Sequence, residues 1–338
     1  MIEIGNLESA LSGRIPKGET FRPSEIGLDE CADTSQKDDV PDGNETTVRE
    51  EWQREVRPLT PRYPAESTVV AIDSTGFALG YVPDGLVAAL RASVVTKPAG
   101  EDRHRLERYG PYLIAVTTAN KDGIYKNLYR TVYGESTSSV PDLANILDRM
   151  RNLFERHLEL EVAKRSRDSL ILLDGSLIGG TVANPRFFVK KIIDQAAQNG
   201  NSIVAISKST RLVLQRSRRS ILSLLEGISG PCYVGGIKNH IEQEPEKYLG
   251  DIYVARLTPR GEPFRTDLPD NAPEPHEELL NALSGLAGDY GYPEELKLAH
   301  MTCVLSGIEI LELQAAAIAL HGLVMKEEVD IRPRLFPL

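Results

Sequence analysis

The sequence predicts an α/β protein in which helices cover a mixed β-sheet. Runs of β-branched and apolar residues dominate between Ser67 and Thr118, and helix and strand patterns alternate after Pro141. The 338 residues are 41% hydrophobic and 26% charged, an ordinary globular composition that can bury a sizeable core. Strands first, followed by alternating helices and strands, are typical of a mixed sheet with helical layers.

The chain divides into an acidic N-terminal arm, residues 1–66, and a folded domain, residues 67–338. The net charge is -10, and residues 1–60 contain 14 acidic and 7 basic side chains, so the remainder is nearly neutral. Residues 23–44 are polar and poor in aromatics, which favours a largely flexible arm. A capping pattern predicts a short helix over residues 46–56. The acidic balance argues against sequence-independent coating of DNA, which needs clustered Lys and Arg.

Strand patterns open the folded domain. TVVAID is a β-branched run that predicts a buried strand ending at Asp73. Residues 85–96 and 111–118 are two further strand candidates, and residues 124–133 are a fourth with less regular alternation.

After Pro141 the hydrophobic period changes to that of a helix. Apolar residues from Leu143 to Val162 predict a long amphipathic helix over residues 142–167. Short apolar strands, SLILLD and SIVAIS, follow, and IYVARL with PFRTDL predicts a hairpin. Further helices are predicted at residues 184–200, 210–226, 276–287, 293–306 and 308–320.

Cysteine usage and targeting patterns indicate a reduced, cytoplasmic protein without membrane contact. Cys31, Cys232 and Cys303 are far apart, with no CxxC pair and no disulfide framework. The N-terminus lacks the pattern of a signal peptide, and the most apolar late stretch, residues 315–325, is too short to span a bilayer.

Two predicted strands end in an aspartate followed by small residues, Asp73-Ser74-Thr75 and Asp174-Gly175. Sites in such sheets gather at the carboxyl ends of adjacent strands. Converging carboxylates repel each other, and a divalent cation neutralises them. One or two ions there can activate water for attack at phosphorus, which predicts a metal-dependent nuclease. The alternative is that each aspartate caps the segment that follows it.

Further candidate ligands lie on helices. Glu155 and Glu159 are four residues apart and share a face, whereas Glu161 points elsewhere; a solvated face is the alternative. His300 lies on the helix opened by Pro293, where packing is the alternative role. An imidazole beside carboxylates favours Mn²⁺ over Mg²⁺, which prefers oxygen alone.

A basic run after SIVAIS supplies a candidate substrate surface. Lys208 lies at the end of that strand, where it could contact a scissile phosphate. The other members of the run, proposed to follow a nucleic-acid backbone, are Arg211, Arg216, Arg218 and Arg219. A solvated helix face is the alternative interpretation.

VVAIDSTGF, LILLDGSLI, AISKSTR, YVARL and GYPEELKLAH resemble, in order and separation, the motifs of the NurA nucleases of DNA end resection. The resemblance runs from about Ser67 to the C-terminus. It implies an RNase H-like core with an extra C-terminal helical part. It also implies Mn²⁺-dependent 5′→3′ exonuclease and endonuclease activity on single-stranded DNA, with duplex ends as a further substrate. The implied role is double-strand-break repair by homologous recombination, as a homodimer with a HerA-type hexameric translocase.

The resemblance also implies roles for individual positions. Asp73 and Asp174 match the metal-binding aspartates, His300 the C-terminal histidine, and Tyr292 the aromatic residue just before it. Lys208 and Arg211 match basic positions after the fifth core strand. Glu159 fits the helix glutamate best, with Glu155 as the alternate. Family members usually carry Gly directly after the first aspartate, where this chain has Ser74-Thr75, and Gly76 is then the candidate for the turn.

Two other classes of protein fit parts of the pattern. Asp-Ser-Thr-Gly after a strand is similar to the phosphate loop of actin-like ATPases and sugar kinases, but a second phosphate loop is absent from the sequence. An RNase H-like module that binds DNA or regulates a helicase without catalysis is the third possibility.

Overall fold

A computed structural model of the chain describes residues 10–11, 15, 17–25, 31–32, 45–50 and 55–325. It confirms the predicted α/β class, since helices pack on both faces of a mixed sheet of eleven strands. The strands are β1 Thr20–Pro23, β2 Cys31–Ala32, β3 Thr46–Val48, β4 Arg57–Pro58, β5 Thr68–Val82, β6 Gly85–Lys97, β7 Arg105–Thr117, β8 Ser169–Asp174, β9 Ser202–Ser207, β10 Leu212–Leu214, β11 Cys232–Val234, β12 Asp251–Arg256, β13 Pro263–Leu268, β14 Leu305–Ser306 and β15 Val324–Met325. The α-helices are α1 Lys121–Tyr133, α2 Ile146–Arg165, α3 Arg186–Gln198, α4 His276–Leu286, α5 Glu294–Cys303 and α6 Gly307–His321.

The centre of the sheet has the strand order β7-β6-β5-β8-β9. β5, β6 and β7 are consecutive antiparallel strands, whereas β8 and β9 run parallel to β5. This is the RNase H-like arrangement that the resemblance implies. The hairpin of β12 and β13 extends the sheet beyond β9, as the sequence predicts.

The register of the parallel strands brings the two predicted aspartates together along the sheet. Ile72 of β5 pairs with Leu173 of β8, and Asp73 and Asp174 each follow by one residue. Because side chains alternate between faces, residues at matching positions of paired strands point to the same side. β8 ends at Asp174 as predicted, whereas β5 continues to Val82, so the predicted end of that strand at Asp73 is wrong. The strand goes on past Asp73 because it stays paired with β6 as far as Val82.

Two hydrophobic cores cover the two faces of the sheet. On one face Val70 and Ile72 of β5 pack in a cluster with α1, α2 and α3, which includes the fully buried Phe154. On the other face Val69 and Ala71 pack in a cluster with α4 and α5. The alternation therefore directs Asp73 toward α5 and its neighbour Ser74 toward α2.

The C-terminal helices form the predicted extra helical part. α6 begins with a capping box, in which Ser306 accepts from the Glu309 N–H while the Glu309 carboxylate accepts from the Ser306 N–H. Arg91 of β6 donates to Glu309 at 2.6 Å, and this guanidinium holds the pKa of Glu309 at about 2. These contacts attach α6 to the meander of β5, β6 and β7.

The strand predicted at residues 124–133 is wrong, because this segment is helix α1. Its buried residues include Ile124, Leu128 and Val132, and the three tyrosines Tyr125, Tyr129 and Tyr133 repeat with the same spacing of four. Residues at a spacing of four lie one helical turn apart, so the two rows together form one buried face of a helix.

The helix predicted over residues 210–226 is also wrong. The segment forms β10, a loop and a short 3-10 helix, Ile221–Leu225. Arg218 in the loop has a φ of 56°, which a continuous α-helix does not allow. β10 pairs in parallel with β3, so the helix predicted at residues 46–56 begins instead as a strand, and its residues 51–54 lie outside the described residues.

The described pieces of residues 1–66 include strands that pair with the domain. β1 pairs with β5 and β15, β3 with β10, and β4 with β11. The flexibility of the arm as a whole and the division at residue 66 stay predictions. In the part of the chain that the structure describes, the helices are too short or too polar to span a bilayer.

Candidate metal centre and basic loop

Asp73 is a buried carboxylate one residue past the last pair between β5 and β8. Its side chain is 2% exposed. One oxygen accepts the backbone N–H of Ser74 at 2.7 Å, and the other lies 2.7 Å from Nδ1 of His300. Burial of a carboxylate is costly unless hydrogen bonds or charges compensate, and both contacts do so here. Gly76 lies inside β5, where it pairs with Leu90 of β6, so the strand does not turn at Gly76.

Helix α5 brings two potential ligands to Asp73. His300 and Cys303 are three residues apart and share a helix face. Ligand atoms of Asp73, His300 and Cys303 all lie within 4.8 Å of one another, and within the described residues this is the trio that meets that geometry. Burial raises the pKa of the Cys303 thiol well above its usual value, and the Asp73 carboxylate raises it further. Cys303 is not among the residues predicted from the sequence, although its spacing of three from His300 was a usable signal.

Asp174, Lys208 and Tyr292 form a row of contacts beside this trio. Lys208 Nζ donates to Asp174 Oδ2 at 2.7 Å and lies 5.0 Å from the centre of the Tyr292 ring. Gly261 and Gly291 fix the turn that carries Tyr292, since a Cβ on either would lie 2.8 Å from the other glycine's Cα. The structure therefore brings Lys208 into contact with both Asp174 and Tyr292. The third member of the metal trio is Cys303 and not Asp174.

Glu155 and Glu159 are both buried on α2, not solvated. Glu155 accepts from the hydroxyl of Ser74 and from Arg151 Nη1, the latter at 2.8 Å. Glu159 accepts from Arg156 at 2.6 Å. The structure thus places Glu155 against the strand that carries Asp73, whereas Glu159 pairs within its own helix. Which glutamate ligates a metal stays a prediction.

Burial makes both helix carboxyl groups weaker acids than usual. It raises the pKa of Glu155 to about 7; Arg151 opposes this rise, while Glu159 and Asp73 add to it. Burial also raises the pKa of Glu159, which Arg156 opposes. The ionised form of either glutamate is therefore unfavourable in this buried position unless a further cation binds beside it.

Arg151 is the cation already present among these carboxylates. Burial would lower its pKa, but Glu155, Asp73 and Asp174 are among the carboxylates that raise it. Its guanidinium therefore offsets part of their mutual repulsion. Arg151 is not among the residues predicted from the sequence, although its spacing of four from Glu155 was a usable signal.

The predicted basic surface is a loop that contacts the acidic arm. Glu50 Oε1 accepts the backbone N–H groups of Arg216 and Ser217 at 3.1 and 3.0 Å, and the Ser217 hydroxyl at 3.1 Å. Arg218 forms an ion pair with Glu45. Two more of the predicted residues lie nearby, Arg219 paired with Glu226 and Arg211 accepting the Thr46 N–H through its carbonyl. Carboxylates thus occupy positions that nucleic-acid phosphates would need.

Several solved structures are similar to this chain at low sequence identity. The chain is similar to the NurA nuclease from Sulfolobus solfataricus, with a TM-score of 0.48, 17% identity, and coverage of 80% of this chain and 88% of that one. It is also similar to endonuclease V from Streptomyces avermitilis, with a TM-score of 0.36, 14% identity, and coverage of 80% and 100%. A further NurA structure gives a TM-score of 0.34, 11% identity, and coverage of 73% and 86%.

Among curated proteins no sequence matched. The family model of the NurA domain matches residues 67–305, more than two thirds of the chain. The resemblance read from the motifs is therefore confirmed, and the chain belongs to the NurA family.

Proposed function

We propose that this protein is a metal-dependent deoxyribonuclease that hydrolyses phosphodiester bonds in single-stranded DNA. The observation that carries the proposal is that Asp73, in contact with His300, lies one residue past the last pair between β5 and β8, beside Asp174 at the carboxyl edge of β8. Hydrolysis at phosphorus needs charge neutralisation and an activated water at one point, and this edge concentrates the groups that can hold both.

The donor set fits a divalent cation of the Mn²⁺ type. Asp73 and His300 would hold the ion, with Asp174 and one α2 glutamate, Glu159 or Glu155, as further oxygen ligands. Carboxylates combined with imidazole suit Mn²⁺, and the oxygen donors alone would accept Mg²⁺. One or two bound ions would act as Lewis acids and lower the pKa of a bound water.

The remaining side chains either contact the phosphate or hold other groups of the site in position. Lys208 is 43% exposed in its side chain, so it can contact a phosphate oxygen while remaining beside Asp174. The Tyr292 ring holds the ammonium by a cation–π contact and limits its freedom. Arg151 keeps the carboxylates together before an ion binds. We therefore assign Lys208 to the substrate, with Tyr292 and Arg151 as positioning residues.

The wider role that we propose follows the family. DNA strands and ends would enter along the basic loop, with Arg211, Arg216, Arg218 and Arg219 contacting phosphates. Cleavage would combine 5′→3′ exonuclease and endonuclease action in DNA end resection for homologous recombination, in the cytoplasm, with a HerA-type hexameric translocase as partner.

A homodimer is part of the proposal. Ile308 and Leu311 of helix α6 are 60% and 46% exposed, and their spacing of three residues places them on one helix face. An apolar helix face of this kind suits a second copy of the chain. Replacing Ile308 and Leu311 with aspartate should shift the protein to monomers in light scattering, whereas a dimer that survives would place the interface elsewhere.

The test is cleavage of 5′-labelled single-stranded DNA with Mn²⁺, Mg²⁺ or EDTA. We expect metal-dependent shortening, reduced about 100-fold or more by Asp73→Asn. Asp122→Asn is the matched control, since Asp122 is an exposed aspartate near the start of α1. Cleavage that persists in EDTA, or in Asp73→Asn, would contradict the proposal. ATP turnover with intact DNA would favour the kinase-like alternative, and DNA binding without cleavage the non-catalytic module.

A further inference from the structure

Cys303 is a thiol inside the candidate metal centre, and the proposed Mn²⁺ chemistry does not use it. The residue is fully buried, at 0% exposure, and its side chain lies on the same face of α5 as His300. Its ligand atom, that of His300 and a carboxylate oxygen of Asp73 lie within 4.8 Å of one another. Three different donor types, oxygen, nitrogen and sulfur, therefore meet at one place.

The chemistry of this set differs from that of the neighbouring carboxylates. A thiolate is a soft ligand, and three protein ligands that combine Cys, His and a carboxylate are within the range that Zn²⁺ accepts, with a fourth position open. Zn²⁺ also lies far above Mn²⁺ in the general order of affinities. Asp174 and Glu155, in contrast, offer only hard oxygen atoms.

We propose that Asp73, His300 and Cys303 form a Zn²⁺-binding set that shares Asp73 with the oxygen-rich set of Mn²⁺. Zn²⁺ then competes with Mn²⁺ for this centre and withdraws Asp73 from it. Binding converts the thiol to a thiolate, and the released proton passes to solvent. The role of Mn²⁺ rests on the proposed function, whereas Zn²⁺ binding by these three residues does not.

A purely structural role for Cys303 makes a different prediction. The Cys303 thiol donates to the His300 carbonyl at 3.2 Å, a contact that a buried helical cysteine makes without any metal. If that is its only role, replacing it with serine should leave Zn²⁺ affinity unchanged. A ligand role requires the affinity to fall and a sulfur–metal bond to be visible.

The first experiment uses Co²⁺ as a spectroscopic substitute for Zn²⁺ in the full chain after EDTA treatment. We expect a near-ultraviolet thiolate-to-Co²⁺ charge-transfer band in the wild type, lost on addition of Zn²⁺. Cys303→Ser should lack the band. Cys232→Ser is the matched control, since Cys232 is also a buried free cysteine but lies on β11 in a different hydrophobic cluster. No band in the wild type, or loss of the band in Cys232→Ser, would overturn the proposal.

The second experiment measures affinities by calorimetry. Even residues that only support a metal ligand change affinity by about 10- to 100-fold, so Cys303→Ser should weaken Zn²⁺ binding at least about tenfold. Mn²⁺ binding should change far less. Equal Zn²⁺ affinity in both proteins would overturn the proposal; should the variant fail to fold, the wild-type Co²⁺ spectrum decides alone. Mn²⁺-dependent DNA cleavage by the wild type is measured separately, so failure of the nuclease proposal shows there and not in the spectrum.

Discussion

Glu155 should make the metal-free protein less stable as the pH rises, and replacing it with glutamine should remove that dependence. The carboxyl is buried, and its pKa rises from 4.5 to about 7. The glutamine side chain would keep an acceptor for Ser74 and Arg151 but carry no charge. Glu155→Gln therefore isolates the cost of the anion from the loss of its hydrogen bonds.

The sign and size of the effect follow from linkage. Because the folded-state pKa lies above the unfolded value, the protonated group's contribution to stability is fully present below about pH 4.5 and is lost as pH rises through about 7. Each pKa unit is worth about 1.4 kcal/mol, so the full loss is on the order of 3 kcal/mol. The variant should thus gain stability relative to wild type between pH 5 and pH 8.

Urea unfolding of both proteins in EDTA at pH 5 and pH 8 measures this difference. Glu161→Gln is the control, because Glu161 lies on the same helix, partly exposed and paired with Lys164. The free energy of unfolding of Glu161→Gln should differ little from that of the wild type at both pH values. The reasoning would be refuted if the difference in free energy of unfolding between Glu155→Gln and the wild type were the same at pH 5 and pH 8. If Glu155 is a metal ligand, added Mn²⁺ should stabilise the wild type more than the variant.

Three further changes test the arm, a close backbone contact and a buried ion pair. Glu50→Gln should strengthen single-stranded DNA binding about two- to fivefold in low-salt fluorescence anisotropy, because a competing carboxylate leaves the basic loop; no gain would contradict this. Gly285→Ala should destabilise the fold by about 1–3 kcal/mol in urea, since a Cβ would lie 2.4 Å from backbone atoms of Arg62, while Gly123→Ala, with open space around it, should not. Asp267→Asn should lower the free energy of unfolding by about 3–5 kcal/mol, because it breaks the buried pair with Arg265; a loss below about 1 kcal/mol would count against it.

The sequence predicts those parts of the fold that a single local signal determines. SIVAIS is a buried strand with the predicted bounds, and TVVAID forms the first six residues of the longer buried strand β5. The segment of α1 is rich in β-branched and aromatic residues, which favour strands, although its buried residues recur at helical spacing. The error after Arg211 had another cause, since β10 depends on pairing with β3, a contact across more than 160 residues that no local pattern contains.

The residues of the candidate site likewise divide into those that a local sequence signal places and those that depend on distant contacts. Asp73 and Asp174 are predictable as neighbours, because each follows a short apolar run and the two runs pair as parallel strands in matching register, although β5 continues past Asp73. Helix spacing could place Glu155 and Glu159 on one face, but not show which carboxylate contacts β5. That choice depends on the rotation of α2 against the sheet, as does the position of Arg151 among the carboxylates.

Ser74 shows how this chain accommodates its departure from the family pattern. Successive residues of a strand point to opposite faces, so Asp73 contacts His300 on α5 while Ser74 contacts Glu155 on α2. A glycine at this position would leave Glu155 without the hydroxyl. Adjacent residues of one strand therefore connect both helical layers to the candidate metal centre. Because Ser74 and Asp73 are both almost fully buried, a shift of β5 would disturb the contact with each helix, whereas a shift of one helix would disturb the contact that this helix makes.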